Sequence, residues 1–261
     1  LTGGNVTTGG LILGSPDLIV GLNGGRALNV TSGGDVIANN MTLGQNNGSS
    51  GAATITGGSS SLLTASLLVG SSGNGVLNIN AGGRVDSTTG VLGDLVGSTG
   101  NAHVDGVNSK WNLSSGLVIG RSGSGALNIT GGGRVDSTTC VLGRELFSTG
   151  TVNVDGPGSE WINSSSLVVG DLGPGTLNIT DGGRVQSAHS DVGIDNGSGE
   201  VTVDGAGSKW IVSDALNLGD EEPGTLDITA GGSVLVSDGL TIGRSGPGAL
   251  NITGGGRIES S

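Results

Sequence analysis

The chain contains no tyrosine, one phenylalanine, one methionine, three tryptophans and one cysteine among 261 residues. A core built on large aromatics is excluded, and so is a disulfide within the chain. Such scarcity of cysteine is compatible with export and does not require a reducing compartment. Cations are also few, with ten Lys and Arg against 22 Asp and Glu and a net charge of −12. Phosphate neutralisation needs clustered cations, so nucleic acid is excluded as a partner, and the acidity serves solubility. No apolar run is long enough to span a bilayer, so no membrane insertion of this segment is expected. The first residues lack the charged and apolar regions of a signal peptide, so any export signal is expected outside this sequence. No segment shows helical periodicity, and 57 glycines are too dense to permit a helix.

What remains is glycine and small aliphatics. Hydrophobic residues make up 33% of the chain, nearly all of them Val, Leu, Ile and Ala, which sets it apart from a disordered Gly/Ser linker. They fall in a repeat. Coils begin at Gly25, Gly51, Gly75, Gly100, Gly125, Gly150, Gly175, Gly199, Gly224 and Gly248, in steps of 24 to 26 residues. Each opens on an alternating run such as ALNIT from Ala126 or TVNVD from Thr151, which reads as a strand with one buried face. A second run follows a glycine pair or triplet, as in RVDS from Arg84 and Arg134, RVQS from Arg184 and RIES from Arg257. A third closes the coil at Gly44, Gly70, Gly120, Gly170, Gly219 and Gly243.

Three short strands and three glycine-rich corners per coil predict an all-β parallel β-helix, a β-solenoid of about ten coils. The array occupies residues 25–261 as one elongated domain whose last coil is incomplete, and residues 1–24 form an atypical N-terminal coil. Coils stacked about 4.8 Å apart bury a continuous aliphatic column that one coil cannot bury alone. The edge left open after Ser261 predicts either continuation in a longer chain, the favoured expectation, or head-to-tail self-association into a filament.

The doublet GxLNITxGGxV and GxVxVDGxGSxW, each half closing in LxVG, resembles the strand-loop-strand repeat of bacterial autotransporter passengers and PEP-CTERM-associated surface proteins. The likeness runs from about Gly25 to Ser261, with Trp111, Trp161 and Trp210 marking one half and Arg84, Arg134, Arg184 and Arg257 the other. It implies a parallel β-helix, export to the bacterial surface or medium, and an adhesive or structural role. No β-barrel translocator and no sorting tail accompany the repeat here.

Four features invite a chemical reading. The tryptophans recur on every second coil and would form either an exposed sugar-stacking ladder or interior packing; aligning GSxW with GGRV sets them opposite Val85, Val135 and Val185 and favours the interior. Arg84, Arg134, Arg184 and Arg257, with Lys110, Glu160 and Lys209 between them, would stack as a mixed-charge line beside Asp86, Asp136 and Glu259. Such a line suits an anionic polymer or, more simply, a solvated face with weak ion pairs. The outward pairs Asn29/Thr31, Thr54/Thr56, Asn128/Thr130, Asn178/Thr180 and Asn251/Thr253 are too interrupted for an ice-binding threonine array and suit Asn ladders that bind coil to coil; their match to glycosylation sequons follows from the strand pattern. Calcium-binding β-rolls use GGxGxDxUx, whereas the triplets here run into Arg-Val-Asp, and Asp220, Glu221 and Glu222 form no recognisable cage.

Catalysis would need a break in the repeat, and none is found. His103 and His189 occupy different coil positions, and Cys140 takes the inward position of Leu167 and Leu240. No catalytic residue, cofactor or metal site is therefore expected. The first reading is a surface-exposed or secreted stalk, fibre or adhesin segment. The alternative is a module that binds a glycan or a cell-surface ligand through a repeated exposed ladder, and a polysaccharide-active enzyme comes last.

Overall fold

The computed structural model describes residues 6–8, 11–12 and 17–260. The first short ending, 11–14, lies partly outside them, as does Ser261. Every strand pairing between coils is parallel, and no helix occurs among the described residues. The chain winds as a β-solenoid, each turn laying its strands on those of the turn before.

The opening runs stack into one eleven-stranded parallel sheet, from Val6–Thr8 and Gly25–Val30 through to Gly248–Ile252. Alternation sets its two faces. Leu77, Ala102, Leu127, Val152 and Leu177 share one inward column, and Ile79, Val104, Ile129, Val154 and Ile179 the next, all fully buried. The glycines that open the coils align rung on rung from Gly51 to Gly248. Gly25 does not, because its partner is Ser50; the repeat register starts one residue later, at Arg26.

The second and third runs form the other wall. They are separate four-residue strands, such as Arg134–Ser137 and Thr139–Leu142, over most of the rod. In three early coils they fuse into single nine-residue strands, Asp35–Leu43, Ser61–Val69 and Arg84–Leu92, so three short strands per coil is not uniform. Ser87 to Gly90 spans three steps and the equivalent Leu113 to Leu117 four; Ser137 to Cys140 also spans three but lies between two four-step coils and is split, whereas Arg84–Leu92 has the three-step Ser61–Val69 on one side and stays whole. The extra residue of a four-step coil cannot stay in register, and the strand splits there. All pairings in this wall join neighbouring coils, so the sheet does not close into a barrel.

Coil length stays near 25 residues because two kinds of coil compensate. A tryptophan coil carries one extra residue at the bend and another at its first corner: Val154 to Trp161 takes seven steps where Ile129 to Val135 takes six. The arginine coils that open at Gly75 and Gly125 recover both at the third corner, where six residues separate Gly143 from Gly150 and only four separate Gly120 from Gly125; the one that opens at Gly175 recovers one, with five between Gly193 and Gly199. Volumes compensate as well. Coils that carry a tryptophan bring the smaller Ala102/Val104, Val152/Val154 or Val201/Val203 to the facing sheet, whereas arginine coils bring Leu77/Ile79, Leu127/Ile129 and Leu177/Ile179. On the third strand, Gly90, Cys140 and Ser190 alternate with Leu117, Leu167 and Leu216. A Cβ at Gly90 would stand 2.8 Å from Cζ2 of Trp111, so the small residue there makes room for the indole.

Candidate functional site

Trp111, Trp161 and Trp210 are fully buried, each between valines of adjacent coils, so none is offered to a sugar ring. Each indole N–H donates to a buried serine of the preceding arginine coil: Trp111 to Ser87 at 3.0 Å, Trp161 to Ser137 and Trp210 to Ser187 at 3.1 Å. A buried indole needs such an acceptor. These serines are the last letter of RVDS or RVQS.

A second set of serines binds corners together. Oγ of Ser60, Ser109, Ser159 and Ser208 accepts the N–H of Gly33, Gly82, Gly132 and Gly182 in the coil before, at 3.0 to 3.1 Å. Ser109 also donates to the Asp105 carbonyl at 2.6 Å, clamping its own turn to the neighbour's. Three of these are the serine of GSxW or NSxW. Sequence reasoning passed over both sets of serines; the available signals were a serine two residues before every tryptophan and a serine closing every RVDS or RVQS.

Outward columns couple the other kind of interface. Thr130 and Thr180 donate to Asp105 and Asp155 of the preceding tryptophan coil at 2.6 Å, and Thr229 donates to Asp204. Beside them Asn153 donates to Asn128 and Asn178 to Asn153, both at 2.8 Å. His103 interrupts this ladder, exposed, its Nδ1 3.4 Å from the Asn128 amide.

The charged residues do form one column. Ser61, Arg84, Lys110, Arg134, Glu160, Arg184, Lys209, Ser233 and Arg257 occupy consecutive rungs of the second wall. Two residues further along each strand runs a parallel column: Asp86, Asn112, Asp136, Ile162, Gln186, Ile211, Leu235 and Glu259. Arg84 pairs with Asp86 at 2.6 Å, Lys110 with Asp136 at 2.8 Å, and Arg134 with Asp136 at 2.9 Å and Glu160 at 2.7 Å. Burial pushes the Asp136 carboxyl up, but the hydrogen bonds and charges of Arg134 and Lys110 outweigh it and hold it below the usual range. Arg184 reaches Glu160 only at 3.7 Å, and Arg257 meets Glu259 at 4.0 Å.

Charges also line the third corner. Arg121 pairs with Asp94, and Arg244 with Asp220 at 3.4 Å. Asp171 lies between these pairs and is pushed from an ordinary 3.8 up to about 6, first by burial, then by its hydrogen bond to Asp195 and the charges of Asp195 and Glu145, with Arg144 opposing. No group of three or more His, Cys, Asp or Glu suited to a metal occurs among the described residues. His189 Nε2 lies 3.1 Å from Asp191 on the outer face, while Ser187 and Ser190 bond to each other inside, so the three types do not assemble into a nucleophilic triad. Cys140 is fully buried and burial pushes its thiol up, away from the reactive thiolate.

Shallow grooves follow the bend between the second and third strands. One of about 390 Å³ is lined by Ile37, Ala38, Leu63 and Ala65, and another of about 240 Å³ by Ile162, Asn163, Ser164, Gln186, Ile211 and Ser213. No family model and no curated protein matches the chain. Among solved structures it is similar to the crystal structure of a TibC-catalysed hyper-glycosylated fragment of TibA, residues 55–350 of that protein, with a TM-score of 0.43 and 16% identity over 99% of this chain and 95% of the other.

Proposed function

We propose that the chain is a rigid rod in an exported bacterial protein, a stalk or fibre segment with an adhesive or structural role at the cell surface or outside the cell. The observation that supports this reading is side-chain coupling across both kinds of interface in the array. Each tryptophan reaches back to a serine in the arginine coil before it, and Thr130, Thr180 and Thr229 reach back to an aspartate in the tryptophan coil before them. From the coil that opens at Gly75 to the one that opens at Gly224 this pattern leaves no hinge, and stiffness follows from sequence-local stacking. Single-molecule stretching from the two ends tests it. The expected record is an extended rod of about 50 Å at low force, then successive steps of about 80 Å as single coils of some 25 residues unravel. Collapse into a compact globule, or release of the whole chain in one step, would overturn the reading. A second reading, binding of a glycan or surface ligand, is favoured by one observation: six of the ten Lys and Arg stand in a single column.

A further inference from the structure

The charged column is neutralised along only part of its length. Where the second strand reads RVDS, Asp86 and Asp136 sit beside the cations and hold Arg84, Lys110 and Arg134. In the next arginine coil the motif reads RVQS, and Gln186 takes the aspartate's place. One coil beyond Lys209, where Lys110 finds Asp136, stands Leu235. Arg184 therefore faces the neutral Gln186 amide and keeps only a long contact to Glu160, which Arg134 already holds at 2.7 Å. No carboxylate pairs with Lys209 among the described residues. Arg184 and Lys209 are direct cross-strand partners, and like charges so placed destabilise a sheet. The fold gains nothing from this arrangement, and the same repeat shows how to neutralise it.

The surroundings identify what would use it. Arg184 and Lys209 stand two residues before Gln186 and Ile211 on the same face, at the side of the groove of about 240 Å³ whose lining combines the aliphatic Ile162 and Ile211 with Gln186, Ser164 and Ser213. The groove runs along the stacking axis, and its Ile162 and Ile211 stand two coils apart, about 9.6 Å, a length close to that of an extended disaccharide. Part-buried isoleucines offer the apolar surface for a sugar ring, hydroxyls and an amide meet its hydroxyls, and two adjacent cations meet an acidic substituent. We infer that Arg184 and Lys209, with Gln186, Ile162 and Ile211, form a binding site for a linear anionic glycan carrying carboxylate or sulfate groups. The site rests on the second reading above, not on the rod. The chain's net charge of −12 repels a polyanion at long range, so binding is expected at low salt and weakens as salt is added.

The test uses the full chain in affinity electrophoresis through gels containing polygalacturonate, dextran sulfate or neutral dextran. Retardation by one or both polyanions and not by neutral dextran is expected, the polygalacturonate and sulfate arms separating carboxylate from sulfate recognition. The decisive variant is Gln186→Asp/Leu235→Asp, which rebuilds the neutralised arrangement already present around Asp86 and Asp136 and so leaves the fold intact. It should bind about tenfold more weakly, as should Arg184→Gln/Lys209→Gln, the loss expected when charge-assisted contacts go. Arg84→Gln should bind like the wild type. Equal retardation of the wild type and Gln186→Asp/Leu235→Asp would place binding elsewhere and overturn the site while sparing the glycan reading. Absence of retardation in all three gels would sink both, and preference for neutral dextran would overturn the anionic chemistry.

Discussion

Ser137 shows how much one small residue does here. Its hydroxyl accepts the Trp161 indole N–H at 3.1 Å and donates to Oδ1 of Asn163 at 3.2 Å, all in the buried interior. Ser137→Ala removes both partners at once and should cost about 2 to 4 kcal/mol, since each orphaned buried group costs about 1 to 3 kcal/mol. Trp161→Phe deletes one of those groups, so the double variant Ser137→Ala/Trp161→Phe should lose roughly 1 kcal/mol less than the two single losses added together. Urea denaturation of the four proteins measures this, and strict additivity would mean that the bond has no energetic weight. Asp171 makes the opposite prediction about pH. Its folded pKa of about 6 lies above the ordinary 3.8, so the folded state binds the proton more tightly and stability declines as pH rises between those values. The deficit is complete above pH 6 and absent below about pH 4. Asp171→Asn should therefore stabilise the protein at pH 7 by about 1 kcal/mol, after discounting for solvent screening at this part-exposed corner, and have little effect at pH 4. Melting temperatures at the two pH values decide it; an equal change at both would remove the carboxyl pair as the cause.

Among the elements, the corners that close each coil are the least tolerant. Gly120 has φ +74°, and a Cβ there would stand 2.1 Å from the Thr149 carbonyl oxygen of the next coil. Gly97 has φ +79° but open space around it. Gly97→Ala should thus cost only the left-handed backbone penalty, about 1 kcal/mol. Gly120→Ala adds a collision with stacked backbone and should cost about 3 kcal/mol or more. Denaturation midpoints that ranked the two alike would show the stacking contact to be soft. The contrast also marks what the residues reveal unaided. Alternation in ALNIT or TVNVD announces a half-buried strand because side chains in a strand alternate faces, and the columns of Arg84, Lys110 and Arg134 follow from aligning repeats. The fused strands at Asp35–Leu43 and Arg84–Leu92 are not announced, because whether a strand bends or splits depends on the count of residues across the bend in the coil beside it. Ser87 and Ser109 were illegible for a related reason: a serine near a glycine corner reads as a turn residue, and only three-dimensional register shows an indole or a neighbouring glycine N–H aimed at it.

At the scale of the whole molecule, the unit of construction is the pair of coils. An arginine coil supplies the serine that receives the next indole and the small third-strand residue beside it; a tryptophan coil supplies the aspartate that receives the next threonine. Stability in such an array approximates a sum of coil and interface terms, and the interfaces here come in two kinds that must alternate. Deleting residues 125–174 removes a pair and joins a tryptophan coil to the arginine coil that opens at Gly175, so every interface keeps its kind. Deleting only 125–149 sets Trp111 against Trp161, removes Ser137, and lays Asp105 directly beside Asp155. Two bulky indoles then compete for volume the packed interior does not have, one indole N–H is orphaned, and two carboxylates stand on adjacent rungs. The smaller deletion should therefore be the more damaging, lowering the urea midpoint well below that of the larger one, whose m-value should fall only in proportion to the surface removed. If the two deletions instead lost stability in proportion to residues removed, the alternation of arginine and tryptophan coils would be a pattern in the sequence with no energetic consequence.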